Sequence, residues 1–301
     1  MKTTKVLITG ASGLLGVKLV QVARGRGHHV FAAYKEHPPT FGTPVSLDIT
    51  DEVSVHKTIS QIEPDVIVNS AALTDVDKCE VNPQLARDLN STSVEYLAGS
   101  AKESSCFLVQ VSTDFVFDGT TGNYSEHDRP NPINQYGLTK LAGEEAAQNC
   151  GEGRWSVARA SVVYGWGRPE RPNAATYIID SLSKGRKVFI VKDQYSSPTL
   201  NTNLALMVME ISERHLPGII HTAGATRRSR YDFALGLADR WKPPLERKLI
   251  LPTEAGNIQW TAKRPLDSSL QVSRAASRLA NRPLEIDEAY RQFIAEEPAR
   301  A

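Results

Sequence analysis

The sequence predicts an α/β protein built on a doubly wound parallel sheet, followed by a smaller C-terminal lobe. Three observations carry this. The first half alternates short, nearly continuous apolar runs with longer amphipathic stretches. The first apolar run opens directly onto Gly10-Ala11-Ser12-Gly13-Leu14-Leu15-Gly16, and the alternation breaks after Tyr164-Gly165-Trp166-Gly167. Strands without polar alternation are buried on both faces, which suits a parallel sheet flanked by helices.

The elements follow in order. Lys5–Thr9 reads as a buried strand and Gly13–Arg26 as a helix ending near Gly27; His29–Ala33 is the second strand. Asp51–Ile62 has helical periodicity, and Asp65–Asn69 is the third strand. One long helix is expected over Pro83–Ser104, with proline in its first turn. Phe107–Val111 is the next strand, and a loop rich in Gly, Asn and Pro runs to Ile133. Gln135–Asn149 is helical and Ser156–Arg159 extended. Beyond the break, helices are expected near Ala174–Ser183, Leu204–Glu213, Tyr231–Trp241 and Glu285–Phe293. Val188–Val191 and Gly218–His221 read as strands. The expected division is a cofactor-binding Rossmann domain over 1–165 and a substrate lobe over 166–301. Part of the latter, about 187–224, is expected to return strands to the main sheet.

Composition narrows the partners. Lys plus Arg is 35 and Asp plus Glu 34, a formal net charge of +1 over 301 residues. This gives no basic footprint for nucleic acid or a membrane surface. No apolar run approaches the roughly 20 residues of a membrane span, and Met1-Lys2-Thr3-Thr4-Lys5 does not open a signal peptide. Cys79, Cys106 and Cys150 are too few and too scattered for a disulfide framework. A cytoplasmic protein is the expectation. No cysteine pair has metal-ligand spacing and nothing near His28-His29 completes a zinc set, so no metal is expected.

Chemistry enters at the glycine turn. Gly10, Gly13 and Gly16 allow a tight turn, close approach of a pyrophosphate to the backbone and close packing of helix on sheet. Ser12, Leu14 and Leu15 complete the turn, and the helix start offers amide donors and a favourable dipole. The glycine spacing resembles the short-chain dehydrogenase/reductase superfamily, and the chain length its extended branch. NAD sites usually place an acid at the end of the second strand. Here the matching residues are Tyr34 and Lys35, with Glu36 beyond the strand. A 2′-phosphate is better accommodated, so NADP(H) is the preferred cofactor and NAD(H) stays open. The resemblance further implies that Asp48 and Ile49 face the adenine, although Asp48 is also a candidate helix cap. Ala71 and Ala72, after the third strand, would line the cofactor.

Tyr136 and Lys140 lie at i and i+4, one turn apart on one helical face. An ammonium near a phenol favours the phenolate and lowers its pKa, which suits reversible proton transfer to a carbonyl oxygen. The strand before this helix ends in Ser112 and Thr113. The superfamily resemblance aligns Thr113 with the catalytic hydroxyl residue, and alternation points Ser112 the other way. Thr113, Tyr136 and Lys140 are therefore the expected catalytic residues, with Tyr136 and Lys140 also touching the cofactor.

Nearly the whole chain resembles the dTDP-4-dehydrorhamnose reductase family. The resemblance is carried by Asn69–Glu80, Ser112–Gly119, Tyr136–Glu144, Arg159–Gly165, Asp193–Thr199 and Lys263–Ser268. It implies NADPH-dependent reduction of the 4-keto group of a dTDP-linked 6-deoxyhexose, as in dTDP-rhamnose biosynthesis, with a small-molecule nucleotide sugar as partner. It also implies substrate contacts from Thr74, Asp75 and Thr113, and a diphosphate contact from Arg264. Departures are Asn173-Ala174 in place of Asn-Phe, Tyr195 in place of glycine, and Lys18 in place of a magnesium-binding acid. The chain also resembles the regulatory β subunit of methionine adenosyltransferase, an NADP-binding regulator, through Val6–Asp48 and Tyr34-Lys35. A homodimer is compatible with these resemblances, but no interface is legible.

Overall fold

The computed structural model describes residues 3–168 and 170–298. Met1 and Lys2, which entered the reading of the N-terminus, lie outside them. In chain order the first strands are β1 (Lys5–Thr9), β2 (His29–Tyr34), β3 (Thr43–Ser46), β4 (Val66–Asn69), β5 (Phe107–Thr113) and β6 (Trp155–Ala160). Then come β7 (Val163–Tyr164), β8 (Val188–Val191), β9 (Tyr195–Ser196), β10 (Thr199–Leu200), β11 (Gly218–His221), β12 (Arg228–Ser229) and β13 (Ile250–Thr253). The first helices are α1 (Gly16–Gly25), α2 (Glu52–Ile62), α3 (Val76–Val81), α4 (Pro83–Arg87), α5 (Ser93–Glu103) and α6 (Gln135–Ala147). The remainder are α7 (Ala174–Ser183), α8 (Asn201–Glu213), α9 (Arg230–Arg240), α10 (Ser273–Arg278) and α11 (Ile286–Ala295).

Seven strands form one parallel sheet in the order β11-β6-β5-β4-β1-β2-β3. The chain winds outward from β1 through β3, then crosses to β4 and winds the other way. A crevice opens at the carboxyl ends of β1 and β4, where such folds bind ligands. Alternate residues serve opposite faces. Val6, Ile8, Val66 and Val68 pack with Leu19, Val20 and Ala23 of α1 and Leu204, Met207 and Val208 of α8. Leu7, Ile67, Leu108 and Val157 pack with Val55 and Ile59 of α2 and Val94, Leu97 and Ala101 of α5.

Three expectations are corrected. The long helix over Pro83–Ser104 is interrupted: α4 passes through a π-helical turn at Asp88–Thr92 into α5. The widened turn brings Asn90 to Leu73 and Thr139, where its amide bonds the Leu73 backbone and the Thr139 hydroxyl. Such π turns often mark a site where a side chain must be aimed. The first helix begins at Gly16, because Gly10–Leu15 is spent on the turn. Within about 187–224, β11 returns to the sheet but β8 does not; it pairs with β13 in the smaller lobe. The edge strand β3 and the helix α3 were not expected from the pattern; β3 is mostly exposed, so it shows no apolar run.

The smaller lobe packs α7, α9 and α11 around Tyr164, Ile178, Phe233, Leu237, Tyr290 and Phe293. It sits over the carboxyl ends of the sheet. No described helix is long and apolar enough to cross a membrane.

Candidate active site

At the glycine turn, Gly13 N–H donates to the Gly10 carbonyl at 2.9 Å. Gly10 has a φ of 64°, and any Cβ on Gly16 would overlap the Gly10 carbonyl. Only glycine lets α1 start this close to the strand end. The start of α1 carries no capping side chain and no acid in its first turn. Its first amides therefore suit an anionic guest, and Ser12, Gly13, Leu14, Leu15 and Gly16 line a cavity of about 560 Å³.

Thr113, Tyr136 and Lys140 line the same cavity. Thr113 ends β5, and α6 is set against it by close contacts. Asn134 caps α6 by accepting from Gly137 N–H at 2.8 Å, and its amide donates to the Lys263 carbonyl at 2.8 Å. Gly137 lies so close to the Phe115 carbonyl that a side chain there would collide. The Tyr136 ring meets Phe115 edge-on, 5.8 Å between centroids. Burial pushes the Tyr136 phenol well above the ordinary tyrosine range, and a hydrogen bond with Thr113 opposes the shift.

Lys140 is buried and donates to the Val111 carbonyl at 2.7 Å. Burial pushes its ammonium down to about 8, against the attraction of Glu144. Burial dominates at Tyr136 and keeps the phenol protonated.

Both Ser112 and Thr113 border the cavity, and they bond different acids: the Ser112 hydroxyl donates to Glu144 at 2.5 Å. Thr113 donates to Asp114 at 3.0 Å and accepts from Phe115 N–H at 3.2 Å. Asp114 went unread in the sequence, although it adjoins Thr113. It is buried, and it accepts from Ser161 at 2.7 Å and Ser268 at 2.5 Å. One carboxylate thus ties the end of β5 to both lobes. Burial raises its pKa, opposed by these hydrogen bonds.

Ala72 and Thr74 line the cavity, whereas Gly10 and Ala71 do not. Asp75 does not face it: its carboxylate caps α3, accepting from Lys78 N–H at 2.9 Å. Arg264 is likewise elsewhere. Its guanidinium pairs with Asp77 at 2.9 Å and donates to the Ala262 carbonyl, fastening the 262–264 segment to α3. Tyr34, Lys35, Asp48 and Ile49 also stand outside the lining; Lys35 pairs with Asp48 at 2.5 Å. Asp48 does not cap α2, which Asp51 does. Lys18 pairs with Glu296 at 3.1 Å. Among the described residues no group of three or more His, Cys, Asp or Glu side chains could hold a metal. The cavity also takes in Asn173, noted in the sequence as part of a departure from the family pattern, and His37, Arg168 and Arg230, which belong to no motif read there.

Comparison with known proteins places this geometry. Residues 4–298 match the family model described as the RmlD substrate binding domain. A probable low-salt glycan biosynthesis reductase of Haloferax volcanii is 33% identical over 277 residues, covering 90% of this chain and 91% of that protein. The methionine adenosyltransferase 2 subunit β of Xenopus laevis is 34% identical, covering 80% of this chain and 73% of that one. The crystal structure of dTDP-4-dehydrorhamnose reductase from Bacillus anthracis str. Ames, in complex with NADP, is 27% identical with a TM-score of 0.87. It covers 98% of this chain and 100% of that one. With nearly every described residue inside the match, the chain belongs to the RmlD substrate-binding-domain family.

Proposed function

We propose that this protein is an NADPH-dependent reductase of the 4-keto group of a dTDP-linked 6-deoxyhexose. The observation that carries the reading is the meeting of Thr113, Tyr136 and Lys140 with the uncapped start of α1 in one cavity. The likeness to a dTDP-4-dehydrorhamnose reductase in complex with NADP supports it. The chain fits a dinucleotide: its glycine turn has no room for side chains, and α1 presents unshared amides to an anion. Ser12–Gly16 would hold the diphosphate and Lys140 the nicotinamide ribose. When bound, the cofactor supplies hydride to the carbonyl carbon.

The chain's own residues manage the oxygen. Thr113 orients the carbonyl through its hydroxyl, and Tyr136 gives up its phenolic proton as negative charge develops. The raised Tyr136 pKa serves this direction, because a protonated phenol is the form that donates. The Lys140 ammonium favours the phenolate left behind.

The decisive assay follows NADPH absorbance with a dTDP-4-keto-6-deoxy-L-hexose. Tight NADPH binding without consumption would sink the reductase reading. A second reading, an NADP-binding regulator of methionine adenosyltransferase, is favoured by the likeness to the Xenopus laevis subunit. Co-purification of a methionine adenosyltransferase, joined to absent turnover, would support it.

A further inference from the structure

Arg230 is the first residue of α9, and its side chain lines two hollows at once. One is the catalytic cavity. The other, about 250 Å³, is an apolar hollow in the smaller lobe walled by Tyr177, Ile178, Phe189, Phe233, Ile258 and Trp260. Val162 is the other residue common to both. Phe189 is 68% and Tyr177 50% exposed, large apolar surface left uncovered at the rim of this hollow.

Among the described residues the Arg230 guanidinium has no hydrogen bond or ion pair; only its backbone N–H is engaged, with the Gln194 carbonyl. Its surroundings do not explain a cation. It stands at the positive end of the α9 dipole, and Arg264 adds like charge. Asp114 attracts it from a distance, but that carboxylate is already shared among Thr113, Ser161 and Ser268. Arg264, by contrast, has Asp77. A part-buried guanidinium that lines a cavity and has no partner among the described residues is placed to receive an anion from a ligand.

We infer that Arg230 anchors the diphosphate of the substrate at the junction of the two hollows. The sugar then falls toward Tyr136 and the nucleoside toward the apolar hollow. A planar fork of donors matches phosphate oxygens two at a time, which fixes orientation as well as charge. A carboxylate on the sugar would offer Arg230 similar oxygens, but it would leave the apolar hollow unused. The inference rests on the reductase reading for the sugar, but not for the nucleoside diphosphate.

The test measures dTDP and thymidine binding to the NADP-loaded protein by calorimetry, for wild type, Arg230→Gln and Arg230→Lys. Loss of one charged hydrogen-bonding partner should weaken dTDP by about tenfold or more in Arg230→Gln. Thymidine and NADPH affinities should change less than about twofold, and Arg230→Lys should recover part of the loss. Unchanged dTDP affinity in Arg230→Gln overturns the anchor, as does a wild type that binds no nucleoside diphosphate. Unchanged NADPH affinity shows that the variant is folded. If wild type binds dTDP through Arg230 but reduces no keto sugar, the anchor stands and the reductase reading falls. If wild type reduces the sugar and Arg230→Gln does so with the same KM, the reverse holds.

Discussion

Lys140 and Glu144 stand one turn apart on the buried side of α6, and only Lys140 lines the cavity. Glu144 turns away, into an ion pair with Arg159 at 2.6 Å and a hydrogen bond from Ser112. The lysine is left to balance burial against the pull of a carboxylate that it does not touch.

That balance predicts a pH dependence. Lys140 has a pKa near 8 instead of 10.5, so its ammonium is present at neutral pH and lost as pH rises through about 8. NADPH affinity should fall over that range, read by fluorescence titration, while Tyr136 stays protonated. Affinity that stays flat from pH 7 through pH 9 would contradict the role given to Lys140.

Replacing Tyr136 separates chemistry from binding. Tyr136→Phe should leave NADPH affinity nearly unchanged while keto-sugar turnover falls by roughly a hundredfold or more, the usual cost of a lost general acid. Steady-state kinetics beside equilibrium titration decides it; retained turnover would refute the assignment.

Cofactor choice can be probed at Lys35. Its ammonium pairs with Asp48 and is 59% exposed, free to swing toward a 2′-phosphate. Lys35→Ala should weaken NADPH several-fold and NADH hardly at all, as expected for one exposed charge. A wild type that prefers NADH would remove the basis of the prediction.

The buried pair behind the site is a stability element. Arg159 and Glu144 are both 2% exposed, and the Arg159 guanidinium also lies 5.1 Å from the Phe117 ring. Arg159→Met leaves Glu144 buried with Ser112 alone, which should cost about 3–5 kcal/mol in denaturant unfolding. A loss below about 1 kcal/mol would show that the charge is relieved elsewhere.

His221, beside Arg159, adds an acid limb. Burial, together with Arg159, lowers its pKa from 6.5 to about 4, against the pull of Glu126. The folded state therefore holds fewer protons than the unfolded chain in this window. Stability should fall as pH drops from about 6.5 toward 4, and His221→Gln should flatten that limb in thermal melts.

The sheet was legible because each of its central strands is buried on both faces and written as an unbroken apolar run. That Tyr136 and Lys140 share a cavity was legible from the helical period, whereas Thr113 was reached through the superfamily resemblance. Asp75 and Arg264, expected at the substrate, are held by partners within the protein: a carboxylate can serve a helix cap, and an arginine an intramolecular acid, without altering the local pattern. Arg230 was invisible because the role inferred for it rests on its lacking a partner among the described residues, and only three-dimensional packing reveals that. The π turn at Asp88–Thr92 was hidden for a similar reason. Its ring of contacts to Leu73 and Thr139 spans three separate segments.

The return of β11 to the edge of the main sheet, with α8 laid across the face beneath α1, bears on how such a chain can be altered. A fragment cut after Tyr164 would bare β6 as a raw edge and strip the cover from Val66, Val109 and Ala158. It would be an aggregation hazard rather than a miniature of the parent. The smaller lobe is therefore not a cassette to be exchanged whole between relatives. New specificity has to be written in place, by single substitutions along the walls of the cleft.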